Sequence, residues 1–467
     1  MKKHSLFKMI GITIIVAVLL TWIFPITYYG YSLTEESRSQ VGLFELFSYG
    51  PIIFNYFGSV IFYVLAIGGF YGVLHQIDGY RNLLDKIVEK FKGKENIFLI
   101  IVMVLFALMA SMAGLTTALL FLFPLVITII LLMGYNKQTA ALTTIGSVAI
   151  GLIGTTVSAT NLNTIVGILE LDFSSELLTK AIILLVGLVL LIFNVLCYAK
   201  KHKNEKEDKK DEELVLPASK DSKKRSWPIV VVVDLILLII ILASVSWESV
   251  LGVKLFNNIH ESVMSYKVGG FAIFGKILGE QNALAFGKWT LIEFTLLLVL
   301  GSFLLTLLYK KGFSKFLESF FEGVKKALKP ALLIFFAYIV LVITATHPVL
   351  LAIFKPILTA TKGFNVFTMS IVAFISSIFN MEPYYVASSV LPYAVSIIKD
   401  TTTYPLIAVV WQAMYGLSTL IAPTSVILIA TLSYLNISFW QWLKSSWKLI
   451  LEILVALLLI FTILILI

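Results

Sequence analysis

The sequence predicts an all-α polytopic membrane protein built as two inverted repeats, each with a re-entrant helical hairpin and a broken transmembrane helix. Three observations carry this. The chain is 59% apolar and only 13% charged, with a mean hydropathy of +0.96, which is more apolar surface than a soluble core can bury. Its apolar residues come in runs of about 20, the length that crosses a hydrocarbon core of roughly 30 Å at 1.5 Å per residue. Interruptions rich in hydroxyls, glycine and proline then recur at corresponding places in the two halves.

The N-terminal stretch MKKHSLFKMIGITIIVAVLLTWIF starts basic, and its apolar core is too long for a signal peptide. It reads as an uncleaved first span over 9–29. Further spans are expected over 58–75, 175–198, 227–247, 288–310, 331–346 and 446–467. Residues 97–133 are apolar but broken by SMAGLTT (111–117), and residues 365–400 by NMEPYY (380–385). Each stretch, about 36 residues, is too short for two full spans and a loop but suits a hairpin that enters and leaves on one side. Residues 139–168 and 403–433 read as single spans broken in mid-membrane, at IGTTVSATN and IAPTSV. The charge-dense segment 199–226 is a linker that divides an N-terminal half, 1–198, from a C-terminal half, 227–467. Residues 248–287 read as an interfacial excursion, 310–329 as an amphipathic arm on the inner leaflet, and SFWQWLKSSW as an aromatic belt.

The net charge of +9 reflects topology rather than a nucleic-acid partner. With the N-terminus inside and the hairpins non-crossing, 27 of the 36 basic residues fall in inside segments, the bias expected of cytoplasmic loops. The linker is then cytoplasmic, the first hairpin opens from the cytoplasm and the second from outside. The halves share one plan in opposite sense, and GLIGTTV in the first parallels TLIAPTSV in the second. Inverted repeats with discontinuous helices at the midplane are the signature of secondary transporters.

A helix broken at membrane depth leaves amides and carbonyls that protein, water or ligand must satisfy. Helix N-termini at a break suit a carboxylate, whereas carbonyl ends and hydroxyls suit Na⁺. The first break offers Gly154, Thr155, Thr156, Ser158, Thr160 and Asn161. The second offers Pro423, Thr424 and Ser425, preceded by Gln412, Gly416, Ser418 and Thr419. Hairpin tips would close over this space with Ser111, Gly114, Thr116 and Thr117 from one side and Asn380, Glu382 and Tyr384 from the other. A coupling Na⁺ is placed near Thr156 and Ser425. Each hydroxyl also has the plainer role of bonding a carbonyl one turn back. Glu382 is an ionisable residue at membrane depth: a proton-coupling site, a counter-charge for a cationic substrate group, or a tip residue in external water. Asp234 is expected to pair within the scaffold, and Glu45, Glu293 and His347 to sit near span ends.

The single cysteine, Cys197, leaves no intrachain disulfide. The sequence carries no metal-ligand spacing, Walker motif or Gly-x-Ser-x-Gly, so an enzyme is not expected and no cofactor is implied beyond a coupling ion. With no ATP-binding segment, pumping must draw on an ion gradient or a counter-solute. The reading is a secondary active transporter of the plasma membrane; a passive channel or a non-transporting scaffold protein is the alternative.

Three stretches also resemble a known group: residues 64–114, FLFPLVITIILLMGYNKQTA, and VWQAMYGLSTLIAPTSVILIATLSYLNISFWQWLK. They are similar to the YfcC-like carriers, related to the DcuC-type anaerobic C4-dicarboxylate carriers within the ion transporter superfamily. The resemblance implies a scaffold domain and a transport domain with two hairpins, elevator-like movement, and a homodimer. It further implies dicarboxylate or amino acid substrates moved with Na⁺ or H⁺ or by exchange. Gln412, Gly416 and Pro423–Thr424–Ser425 match the group's C-terminal motif. The first tip departs from its Gly-Met-Ala-Glu-Glu-like run, with Ala113–Gly114–Leu115–Thr116–Thr117 and no acid. The second carries Glu382–Pro383–Tyr384–Tyr385 where the group has a Ser-rich, Gly-containing run.

Overall fold

A computed structural model describes residues 5–24, 40–203, 225–279, 283–361 and 363–466, and the backbone of 27–29 and 32–34. Most of the expected linker, 204–224, lies outside the described residues. In the N-terminal half the order is α1 (Ser5–Ile23), a short β1–β2 hairpin (Thr27–Tyr29, Ser32–Thr34), α2 (Leu43–His75), α3 (Asp78–Lys90), α4 (Glu95–Ala113), α5 (Phe123–Leu132), α6 (Lys137–Ile153), α7 (Ala159–Leu169) and α8 (Leu177–His202). The C-terminal half continues with α9 (Trp227–Ser244), α10 (Trp247–Leu251), α11 (Leu255–Ser265), a β3–β4 hairpin (Lys267–Val268, Phe271–Ala272) and α12 (Ile273–Leu278). It closes with α13 (Leu291–Leu308), α14 (Phe313–Thr346), α15 (Val349–Ala360), α16 (Val366–Phe379), α17 (Pro383–Ile397), α18 (Tyr404–Ser418), α19 (Val426–Leu435) and α20 (Phe439–Leu466). Among the described residues, eight helices are long and apolar enough to cross a membrane: α1, α2, α4, α8, α9, α13, α14 and α20. The protein is an all-α polytopic membrane protein.

Contacts between helix ends sort them onto two faces of the bundle. On the linker face, the Tyr135 hydroxyl donates to Asn96 Oδ1 at 2.7 Å, Lys203 lies 3.5 Å from Glu95, and Tyr309 donates to the Arg225 carbonyl. On the other face, Trp22 donates to the Val41 carbonyl at 3.0 Å, and His347 Nε2 lies 3.6 Å from Glu45 Oε1. The Tyr135–Asn96 bond joins the two open ends of the α4–α5 pair, so residues 97–133 do form a hairpin that returns to its own face.

Several elements differ from expectation. The second span begins at Leu43 rather than 58, and the last at Phe439 rather than 446. The expected arm over 310–329 and the span after it are one helix, α14, that runs through Pro330. A helix tolerates an internal proline where the freed carbonyl can be satisfied, and the missing amide falls beside the exposed Lys326 and Lys329. Residues 349–360 form a helix that sequence reading did not foresee. Trp440 and Trp447 are exposed as a belt requires, but Trp442 is buried and donates to the Leu420 carbonyl at 2.7 Å. Asp234 is exposed on α9 rather than paired in the scaffold, and no partner for it is described. Glu293 accepts from the Thr290 amide at 2.7 Å, closing the start of α13.

The long helices α2 and α14 pack against each other through small residues. A Cβ on Gly323 would collide with the Gly68 carbonyl, and one on Gly68 would lie 2.6 Å from the Gly323 carbonyl. Here the two backbones touch, and no side chain can move to make room. Gly323→Ala is therefore expected to destabilise by about 1–3 kcal/mol through overpacking. Gly167→Ala, which meets nothing within 4 Å, should be neutral or slightly stabilising; thermal unfolding of both purified variants checks the contrast.

Candidate functional site

Two broken helices enter the bundle from opposite faces and cross halfway through it. Helix α6 rises from the linker face and stops at Ile153; α18 comes from the other face and stops at Ser418. The crossing is close because Gly416 has no side chain: its Cβ would lie 2.7 Å from Ile153 Cα. Gln412 ties the crossing, donating from Nε2 to the Leu152 carbonyl at 2.9 Å and to Thr155 Oγ1 at 3.2 Å.

Each break is hydrogen-bonded to the neighbouring hairpin, with the tip donating at the first and the break donating at the second. At the first, Ser111 Oγ donates to the Gly154 carbonyl at 2.7 Å, and the Thr156 amide reaches Ser111 Oγ at 3.2 Å. Asn161 Nδ2 donates to the Ala110 carbonyl at 3.2 Å. The tip turns at Gly114, whose φ of +68° favours glycine and whose Cβ would strike Ser158 Oγ. At the second break, Thr424 Oγ1 donates to the Ile378 carbonyl at 2.9 Å, and Ser418 Oγ to the Phe374 carbonyl at 3.2 Å. Pro423 lies in the non-helical link between them. Asn380 turns the second tip, accepting from the Glu382 amide at 3.3 Å.

Beyond each break the helix restarts with a serine cap. Ser158 Oγ accepts from the Asn161 amide at 3.3 Å, and Ser425 Oγ from the Leu428 amide at 3.4 Å. Capping leaves the first amides of α7 and α19 without intrahelical partners. A third helix, α17, starts at the second tip. All three N-terminal ends line one cavity of about 740 Å³.

The structure brings Asn161, Thr160, Thr116, Thr117, Thr419, Ser425, Glu382 and Tyr384 to the wall of this cavity. The other candidates lie behind the wall and hold it in shape: Gly154, Thr155, Thr156, Ser158, Gln412, Gly416, Ser418, Pro423, Thr424, Ser111, Gly114 and Asn380. Glu382 is not a free tip residue. Tyr338 on α14 donates to its Oε1 at 2.7 Å, and the Tyr338 ring stacks on Phe57 of α2 at 4.3 Å. The second tip is thus fastened to the α2–α14 pair.

Sequence reading missed the outer part of the site. Residues 248–287 hold no described helix long enough to cross, and they line the cavity with Glu248, Phe256, Asn257 and Phe286, joined by the flanking Trp247 and Lys288. Trp247, Phe256, Phe286 and Trp289 join the excursion through ring contacts of 5.0, 5.7 and 5.0 Å. Their spacing carries no helical or strand period, so the sequence held no signal for this role.

With the geometry in place, the chain can be set beside known proteins. The family described as DcuC, C4-dicarboxylate anaerobic carrier, matches residues 4–467. The chain belongs to this family. It is accordingly a multi-pass membrane transporter. The YdaH transporter of Alcanivorax borkumensis is similar at 10% identity over 98% of each chain, with a TM-score of 0.45. No curated protein matches the chain.

Gln412 offers a direct check of the crossing. Its Oε1 is buried without a partner, so Gln412→Leu loses two bonds but also an unsatisfied acceptor and should cost only about 1 kcal/mol. Gln412→Glu buries a carboxylate against the Leu152 carbonyl and should cost on the order of 3 kcal/mol or more. Thermal unfolding of the two variants is expected to rank them in that order.

Proposed function

We propose that this protein is a secondary active transporter, YfcC-like within its family, that moves a small carboxylate-bearing solute across the plasma membrane. The observation that carries the reading is the convergence of three helix N-termini, α7, α17 and α19, on one cavity. Their unpaired amides and positive dipole ends favour a carboxylate without a fixed cation. Glu382 on the same wall favours a substrate with a cationic group beside its carboxylate, which supports an amino acid over a dicarboxylate.

Movement follows alternating access: the two tips and two broken helices carry the solute, α2 and α14 form the frame, and the halves act as inverted repeats in an elevator-like homodimer. Coupling is to Na⁺ or H⁺, or by exchange. The Ser111 hydroxyl, the Gly154 carbonyl and Thr156 Oγ1 gather oxygen atoms of the kind that suits Na⁺; Thr424 at the Ile378 carbonyl, next to Ser425, is the corresponding place in the second half. The basic bias puts the N-terminus in the cytoplasm and the cavity on the outer face.

Uptake into proteoliposomes tests the reading. A panel of labelled amino acids and dicarboxylates is offered with an inward Na⁺ or proton gradient, and accumulation above equilibrium is expected for at least one. Mere equilibration would favour the passive channel. Ser425→Ala and Thr156→Val should each lower uptake about tenfold, the loss of one or two good hydrogen bonds, in protein that still shows a cooperative unfolding transition. Normal uptake by both variants would overturn the site.

A further inference from the structure

A second cavity of about 610 Å³ lies toward the linker face, separate from the one described above. Its walls come from two groups of helices, α2 and α14 on one side, α5 and α19 on the other. The floor is apolar, formed by Val64, Ile67, Leu120, Phe123 and Ile127. The rim is polar and exposed, with His75, Glu322, Lys326 and Lys329. Lys329 Nζ donates to Asn436 Oδ1 at 3.2 Å across the mouth, and Lys326 forms no ion pair among the described residues.

Two hydroxyls in the wall have no hydrogen-bond partner among the described residues. Thr431 and Ser433 on α19 are 2% and 5% exposed, and both Oγ atoms lack a hydrogen bond. Hydroxyls on a membrane helix ordinarily bond the carbonyl one turn back, and a buried polar atom left unsatisfied costs free energy. Both residues belong to the lining of the cavity. An apolar floor deep enough for an alkyl chain, cations at the mouth and unsatisfied donors in the wall describe one ligand chemistry.

We infer that this cavity binds an anionic amphiphile, its acidic head held at the rim by Lys326 and Lys329 and its alkyl chain laid on the floor between the two helix groups. A phospholipid drawn from the adjacent leaflet and a free fatty acid share this chemistry. Because the walls belong to both helix groups, an occupant bridges them and favours this relative position. The site does not depend on which solute the first cavity carries.

Native mass spectrometry of the full chain tests this, with protein released from nanodiscs of phosphatidylcholine carrying either phosphatidylglycerol or palmitate. One retained phosphatidylglycerol identifies a lipid, and one retained palmitate a free acid. Retention is expected to fall about tenfold in Lys326→Gln/Lys329→Gln, which removes two charge-assisted contacts at an exposed rim and leaves the core untouched. Ala430→Phe, which fills the cavity from α19, should abolish retention by blocking the floor. Retention of neither probe, or equal retention by the wild type and the double-lysine variant, would overturn the inference.

Discussion

The structure turns on one constraint: a backbone that leaves the helix inside a hydrocarbon layer must find hydrogen-bond partners there. Two helices break halfway through the bundle, and each break is hydrogen-bonded to the hairpin beside it. Ser111 holds the Gly154 carbonyl and the Thr156 amide, while Thr424 and Ser418 reach the carbonyls of Ile378 and Phe374. Trp442 adds its indole to the Leu420 carbonyl. The Gly154 carbonyl at the end of α6 and the Leu420 carbonyl past α18 are closed in this way, and the first amides of α7 and α19, beyond those their serine caps accept, face the cavity. The polarity of the site follows from which end was closed.

The same economy governs the join between the frame and the hairpins. Tyr63 and Tyr71 of α2 each donate at 2.7 Å to carbonyls of the turn before α5, those of Ala118 and Phe121. Tyr338 holds Glu382, and Lys329 holds Asn436. These are single hydrogen bonds at an otherwise apolar join, and each can be exchanged for water or another partner at small net cost. The α2–α14 contact is different, since Gly68 and Gly323 meet backbone to backbone. The two joins thus differ in the kind of contact each makes.

Much of this was legible in the residues because membrane burial leaves a coarse signal. The apolar runs located seven of the eight long helices, and α4 was read as one limb of a hairpin; Gly114, Asn380 and Pro423 marked where chains must turn. The Gly-Thr-Thr and Pro-Thr-Ser interruptions stood out against an apolar background. What stayed hidden depended on tertiary contact. The arm over 310–329 and the span over 331–346 read as separate elements because one is basic and the other apolar, yet α14 runs through both and through Pro330. Trp442 read as a belt residue because sequence cannot say which face of α20 packs inward. The excursion over 248–287 has no period, so its place above the cavity came only with the fold. Glu382 was singled out by its charge, but its partner Tyr338 lies 44 residues away on another helix.

The measurement closest to the central claim is a double-mutant cycle between Ser111 and Thr156. Unfolding free energies of Ser111→Ala, Thr156→Val and the double variant would be compared with the wild type in the same detergent. If the tip satisfies the break, the two residues share hydrogen bonds and their effects will not add, leaving a coupling of about 1 kcal/mol. Additive effects, within roughly 0.3 kcal/mol, would mean that the tip and the break stand independently, and would contradict the account.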